Sequence, residues 1–321
     1  MKKYSRRDLL VSATAFAIAA GMPVSGVCAE FLSPTLANLS SEEINALFVR
    51  FALERRMPET LGRWLSDRTV QTIDPYRVFD NVWYVGIRWV SAYAICTSEG
   101  VILIDTLHEP FVDRLLENLT TVGISPDDIR YVLMTHGHFD HVGGYARLKP
   151  ILKNARFAMS ARGWKEAKEN THHSKHNPFT VPTIDMTVKD GDLVTLGDTQ
   201  VQVLETPGHT WGTVSYVYPI KDGQQTHRAV TVGGQGLNAM DDVRQLDAYI
   251  RSMQRLANPD LKIDVDLTAH PFSTGLTEKI PEIVAHRHGQ KHPLVNRLEY
   301  VARLESMVRS AQEYRTKLIT S

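Results

Sequence analysis

The chain has 321 residues, 43% of them hydrophobic and 22% charged, a balance that supports a buried core and excludes disorder as the default state. Its 36 basic and 36 acidic side chains cancel. No basic stripe interleaved with aromatics appears, so nucleic acid is excluded as the expected partner and a small-molecule substrate is favoured.

Residues 1–29 read as a cleavable secretory signal, with a basic start, an apolar run from Leu9 to Ala20 and small residues up to Val27-Cys28-Ala29. The run is too short and too rich in alanine to serve as a stable membrane anchor. Ser5-Arg6-Arg7-Asp8-Leu9-Leu10 resembles the twin-arginine signal, which is read by an exporter of folded proteins. The expected partner of the precursor is therefore the twin-arginine machinery, and the expected location is the bacterial periplasm. An ordinary Sec signal with a basic end is the alternative, and it too leads out of the cytoplasm. Of the two cysteines, Cys28 falls in the signal and Cys96 in an apolar run, which predicts one buried thiol and no internal disulfide.

Residues 30–77 are expected to form a helical extension. Ser40-x-x-Glu43 is a capping box, and Ile44, Leu47, Phe48, Phe51 and Ala52 form an apolar stripe behind it. Residues 78–321 are expected to form one domain. It opens with β-rich runs at Trp83–Ile87, Tyr93–Cys96 and Val101–Asp105, then a helix facing Phe111, Leu115, Leu116 and Leu119 one way and ending at Gly123. The strand Tyr131–Thr135 follows. The second half repeats the idiom: a hairpin at Leu193–Leu196 and Gln200–Leu204, strands at Thr213–Tyr218, Ala229–Val232 and Val265–Thr268, and a helix carrying Val243, Leu246, Ile250, Met253 and Leu256. A long amphipathic helix closes the chain with Val295, Leu298, Leu304, Val308, Ala311 and Leu318 on one face. The alternation predicts an α/β layered fold of two sheets with helices outside.

The chemistry concentrates where Tyr131–Thr135 ends. His136 and His138 are two apart in extended chain and so project to one face, with Gly137 between them allowing close backbone approach. Asp140 and His141 follow as the chain turns over Gly143-Gly144, which brings four potential metal ligands together. His209, in Pro207-Gly208-His209-Thr210, and His270, in Ala269-His270-Pro271, also stand at strand ends, where the loops of layered α/β folds gather. His108, His227 and His286 lack such a setting and read as surface residues.

These residues resemble the metallo-β-lactamase superfamily. The match rests on His136-x-His138-x-Asp140-His141, His209 in its Pro-Gly-His-Thr turn, and His270 after a strand, and it covers about residues 78–275. Val101 to Asp105 matches the apolar strand that ends in a buried Asp. The resemblance implies an αββα sandwich of two mixed sheets flanked by helices, with the metal site at the edge between the sheets. Relatives that cleave lactones, thioesters and phosphodiesters usually have an Asp bridging the metals, where this chain has Gly233-Gly234-Gln235-Gly236-Leu237-Asn238. Asp241 and Asp242 lie nearby but read as the cap of the next helix. A cysteine ligand is missing as well. The remaining pattern is that of the third, cysteine-free subclass, which implies two Zn2+ per chain: one held by His136, His138 and His209, the other by Asp140, His141 and His270.

Two zinc ions sharing a water bring its pKa from 15.7 to about 7, so hydroxide is at hand at neutral pH. Asp140 is expected to orient that hydroxide, and Asp105 to accept an N–H from a ligand imidazole. Gln235 and Asn238 are candidates for meeting a substrate carboxylate. The loop Thr171–Asn177, with His172, His173 and His176, reads either as a pocket wall or as a solvated polar loop. Trp89 and Tyr93 either stack on a substrate ring or pack. The reading that follows is an exported dizinc hydrolase that opens the amide of β-lactams. The alternatives are a lactone or other cyclic amide or ester hydrolase of the same fold, and a non-catalytic metal-binding envelope protein.

Overall fold

A computed structural model describes residues 36–54, 56–173, 179–180, 183–237, 240 and 242–320. The expected signal, residues 1–29, lies outside them, as does Asn238.

Three helices come first: α1 (Ser41–Glu54), α2 (Glu59–Ser66) and α3 (Arg68–Gln71). The expected capping box is present, with Ser40 N–H donating to Glu43 Oε2 at 2.8 Å and Glu43 N–H to Ser40 Oγ at 3.2 Å. The apolar stripe of α1 is used for packing. Phe48 stacks on Phe272 at 4.9 Å between centroids, Trp64 meets the same ring edge-on at 6.3 Å, and Asn45 donates to the Phe272 carbonyl. The helical extension is therefore fastened to the segment just beyond His270.

Seven strands form the first sheet in sequential order: β1 (Tyr76–Phe79), β2 (Val82–Tyr84), β3 (Tyr93–Thr97), β4 (Gly100–Ile104), β5 (Ile129–Leu133), β6 (Arg156–Ser160) and β7 (Met186–Val188). Pairing is antiparallel up to β4 and parallel from there to β7. Parallel neighbours need crossovers, supplied by α4 (Val112–Thr121), then α5 (Phe139–Val142) with α6 (Tyr145–Leu148), then α7 (Ala161–His173). The second sheet has β8 (Leu193–Leu196), β9 (Thr199–Glu205), β10 (Val214–Asp222), β11 (Gln225–Thr231) and β12 (Val265–Asp266) in the order β12-β11-β10-β9-β8, antiparallel except for β11 with β12. The parallel pair is bridged by α8 (Val243–Leu256), capped by Asp242, whose side chain accepts from Arg244 N–H. Two helices follow, α9 (Ile280–Ala285) and α10 (Arg297–Thr320).

Period-two burial shows why these runs become strands between two apolar layers. In β4, Val101 and Leu103 join the core beneath α4, while Ile102 and Ile104 join the core between the sheets. In β10, Tyr216, Tyr218 and Ile220 face the first sheet and Val217 faces α8 and α10. Each such side chain contributes about 2 kcal/mol by burial. The expected layered fold is the observed one, an αββα sandwich.

Some local expectations differ. Leu298 is 83% exposed, because at ~100° per residue it sits about 120° round from Leu304, which does face α8. Val295 precedes α10, Leu116 is half-buried, and β12 stops at Asp266. Cys96 is free as expected, but half-buried on β3. Among the described residues no helix is long and apolar enough to cross a membrane.

Candidate metal centre

The chain leaves β5 through Met134 and Thr135 and passes His136-Gly137-His138 before winding into α5. Gly137 is obligatory there, since a Cβ would stand 2.5 Å from Ala167 N and 2.7 Å from Gly163 O of α7. His209 lies in the turn between β9 and β10, and His270 lies four residues beyond Asp266 of β12. The strand ends bring all six expected side chains together. His136, His138 and His209 offer one ring nitrogen each, and Asp140, His141 and His270 offer a carboxylate oxygen and two ring nitrogens; within each group these atoms lie within 4.8 Å of one another. The two groups adjoin, with the His136 and His141 rings 4.2 Å apart between centroids.

The outer hydrogen bonds decide which nitrogens carry protons. His141 Nδ1 faces Asp105 Oδ2 at 2.7 Å, His209 Nδ1 faces the Gly236 carbonyl at 2.7 Å, and His270 Nδ1 faces the Trp89 carbonyl at 2.8 Å. These partners only accept, so each Nδ1 must donate. His136 reaches the same state through Thr135. The Thr135 hydroxyl donates to Asp105 Oδ2 at 3.0 Å and so accepts from His136 Nδ1 at 3.1 Å. In the neutral rings the inward Nε2 atoms are left with bare lone pairs. Those of His136 and His209 lie 3.1 and 3.0 Å from His138 Nδ1, and His141 Nε2 lies 3.3 Å from His270 Nε2. His138 Nδ1 can donate to only one of its two neighbours, and His141 Nε2 meets His270 Nε2 favourably only while it carries the extra proton that a cation would displace. The donor set therefore fits two imidazole-rich metal sites.

Protonation favours the same outcome. Burial and the neighbouring imidazoles hold His136, His138, His209 and His270 below the ordinary histidine range, His138 at about 3 and His270 at about 4. His141 moves the other way, to about 10, because Asp140 and Asp105 outweigh its burial. Although burial opposes it, His141 keeps the Asp140 carboxyl well below the usual carboxylate range.

Asp105 reaches two of these side chains, one of them through Thr135. Its carboxylate accepts from Thr135 N–H at 2.7 Å, from the Thr135 hydroxyl and from His141, so one buried anion sets the protonation pattern of a ligand in each group. It does so from φ 62°, a left-handed conformation that costs a non-glycine residue about 1 kcal/mol and is held by those bonds.

Other side chains fall elsewhere than expected. His108, read as a surface residue, is buried among Trp89, Phe111 and Phe139 at 5.0–5.2 Å, and that burial pushes it to about 4. The reason is its place beside α5, where the aromatic neighbours come from distant sequence. His227 and His286 are partly buried, paired with Asp264 and Asp222 at 2.8 and 2.9 Å. Trp89 and Tyr93 pack in the core. Gln235 has both ends of its amide engaged within the protein, Nε2 with Thr268 Oγ1 and Oε1 with Arg303. The side chains of residues 171–178 lie outside the described residues. The carbonyls of Trp89 and Gly236 left no signal in the sequence, since every residue has one.

The Metallo-beta-lactamase superfamily profile matches residues 86–223. Among solved structures, the chain is similar to BJP-1, a subclass B3 metallo-beta-lactamase of Bradyrhizobium japonicum, at 27% identity and TM-score 0.68, over 78% of this chain and 96% of that one. It is also similar to native FEZ-1 metallo-beta-lactamase from Legionella gormanii, at 25% identity and TM-score 0.71, over 78% and 98%. Among curated proteins, a hydroxyacylglutathione hydrolase of Brucella anthropi is 43% identical over 177 residues, 51% of this chain and 61% of that protein. A probable metallo-hydrolase of Methanocaldococcus jannaschii is 30% identical over 117 residues, 36% and 46%. The chain thus matches only about half the length of these two curated relatives. With this fold and these likenesses in place, the chain carries a metallo-β-lactamase superfamily domain, and subclass B3 metallo-β-lactamases are among its structural neighbours.

Proposed function

We propose that this protein is an exported dizinc hydrolase that opens the amide bond of β-lactams. The observation that carries this reading is the pair of cysteine-free ligand groups, His136/His138/His209 and Asp140/His141/His270, set side by side on a fold similar to subclass B3 β-lactamases. When bound, zinc would supply acidity to make hydroxide available at neutral pH and positive charge for an oxyanion and a departing amide nitrogen. Asp140 contributes a carboxylate that is ionised across the physiological range, placed 3.2 Å from His141 Nε2 and 3.8 Å from His270 Nε2. It accepts a hydrogen bond from the attacking oxygen and so aims it. The bonds from Asp105, Gly236 and Trp89 keep three imidazoles oriented throughout, so no reorganisation is needed as charge develops. With no protein nucleophile required, no acyl-enzyme accumulates.

A second reading, a thioester hydrolase, is favoured by the 43% identity to a hydroxyacylglutathione hydrolase. Against it stands the pair Gly233-Gly234 where relatives acting on thioesters usually place a bridging acid; here Gly234 lies against the His209 ring, with its Cβ position 2.6 Å from His209 Cβ. The deciding experiment is a hydrolysis panel of penicillin, cephalosporin, carbapenem, acyl lactone and glutathione thioester on zinc-loaded protein. The expected result is kcat/KM for at least one β-lactam more than about 10-fold above any lactone or thioester, equal to roughly 1.4 kcal/mol of differential transition-state stabilisation. Preference for the thioester would replace the proposal with the second reading.

A further inference from the structure

Gln235 stands between the two ligand groups and is bonded to the supports of both. Its neighbour Gly236 presents the carbonyl that accepts from His209 Nδ1 at 2.7 Å. Its own side-chain Nε2 donates to Thr268 Oγ1, which accepts the backbone N–H of His270 at 3.2 Å. A ligand of each group is thus one hydrogen bond away from a group that this residue holds.

Gln235 is itself fixed from two helices. Tyr249 of α8 donates its hydroxyl to the Gln235 carbonyl at 2.7 Å. Arg303 of α10 donates from one guanidinium nitrogen to Gln235 Oε1 at 3.0 Å and from Nε to Asp266 Oδ2 at 2.7 Å. Both side chains of that ion pair are largely out of solvent, and Asp266 stands two residues before Thr268 on the same segment as His270. A planar guanidinium can serve the carboxylate and the amide at once, whereas an ammonium, a single point of charge, cannot hold both in this geometry.

We propose that Gln235, clamped by Arg303 of the C-terminal helix, is a positioning residue that braces the Thr268–His270 turn and thereby sets how tightly the group of Asp140, His141 and His270 holds metal. The inference rests on the dizinc reading and goes beyond it. Loss of the Gln235 amide frees the Thr268–His270 turn first, because the Gly236 carbonyl remains steadied by Tyr249. The cation held by Asp140, His141 and His270 is therefore the one that weakens.

The test is a titration of metal-free protein with zinc in competition with a chromophoric chelator, repeated with cobalt(II) for its visible spectrum. Three variants are compared with the unmodified protein. Gln235→Met keeps the side-chain length and leaves the Arg303–Asp266 pair intact. Arg303→Lys keeps the charge against Asp266 but loses the fork. Arg315→Lys alters an ion pair between α10 and Asp247 of α8 and serves as the control for general loosening of the helix. Gln235→Met and Arg303→Lys should weaken one of the two sites by about 10-fold or more, with the other changed far less and the cobalt spectrum altered at full loading. Arg315→Lys should titrate like the unmodified protein. Two unchanged affinities in both Gln235→Met and Arg303→Lys, or an equal loss in Arg315→Lys, would overturn this role. An unmodified protein that takes up fewer than two zinc ions would overturn the dizinc reading instead.

Discussion

Asp105 Oδ2 lies 2.7 Å from His141 Nδ1, and neither side chain has any solvent exposure. The same carboxylate reaches His136 through the Thr135 hydroxyl, so a change at Asp105 acts on both ligand groups. Asp105→Asn removes the charge and offers a donor where His141 and Thr135 need an acceptor. The expected outcome is a loss of zinc affinity of at least about 10-fold at both sites, read by chelator competition. A loss confined to one site would show that the Thr135 relay carries no weight.

Acid stability should report two histidines outside the ligand groups. Burial pushes His108 and His292 down to about 4, whereas an unfolded chain titrates near ~6.5. Between those values the unfolded state binds protons that the folded state refuses. Their contribution to stability is therefore complete above pH ~6.5 and is lost as pH falls towards 4. His141, at about 10 in the metal-free protein, adds the opposite limb, complete below pH ~6.5 and lost as pH rises through about 10. The Tm of metal-free protein should fall on both sides of a plateau, with His136, His138, His209 and His270 adding to the acid limb, and His108→Phe should remove a measurable part of that limb. An acid limb unchanged in His108→Phe would contradict the assignment.

Phe272 connects the helical extension to the centre. Its ring is stacked on Phe48 and met by Trp64, and it stands two residues after His270. Phe272→Ala should cost about 3–5 kcal/mol of stability in denaturant unfolding. It should also weaken zinc binding, since the cavity opens beside a ligand. Unaltered zinc affinity in the folded variant would mean that the extension supports the fold alone.

The proposed export rests on the sequence around Arg6 and Arg7, outside the described residues. Changing both to Lys preserves charge but removes what a twin-arginine receptor reads, so precursor should collect in the cytoplasm and mature protein should vanish from the periplasm. Unchanged secretion, followed by fractionation and immunoblot, would assign the chain to the Sec route.

The ligands were legible because metal chemistry constrains both residue type and spacing: His136, His138, Asp140 and His141 sit within six positions, and His209 and His270 each follow a strand. The strands were legible for a similar reason, since Val101–Ile104 must satisfy two apolar layers at once. What could not be read is what depends on contact between distant segments. His108 has the sequence surroundings of a surface residue and becomes buried only when Trp89 and Phe139 close over it. The bond from Arg303 to the Gln235 amide joins positions 68 residues apart and carries no local signal. Leu298 obeyed a stripe whose phase is set by α8, and a single chain does not announce its partner's position.

Beyond residue 30 the chain has a single thiol, Cys96, and so no pair from which to form a disulfide. Each ligand group gathers side chains from well-separated parts of the chain: His136 and His138 with His209, Asp140 and His141 with His270. A cation in each would close a long loop of sequence, and by the relation used for covalent cross-links each closure is worth about 4 kcal/mol against the unfolded state. The two metals would thus be topological staples as well as chemical equipment. A chelator would then silence the site and, in the same act, cut two cross-links that add to the stability of a chain with a single thiol beyond residue 30.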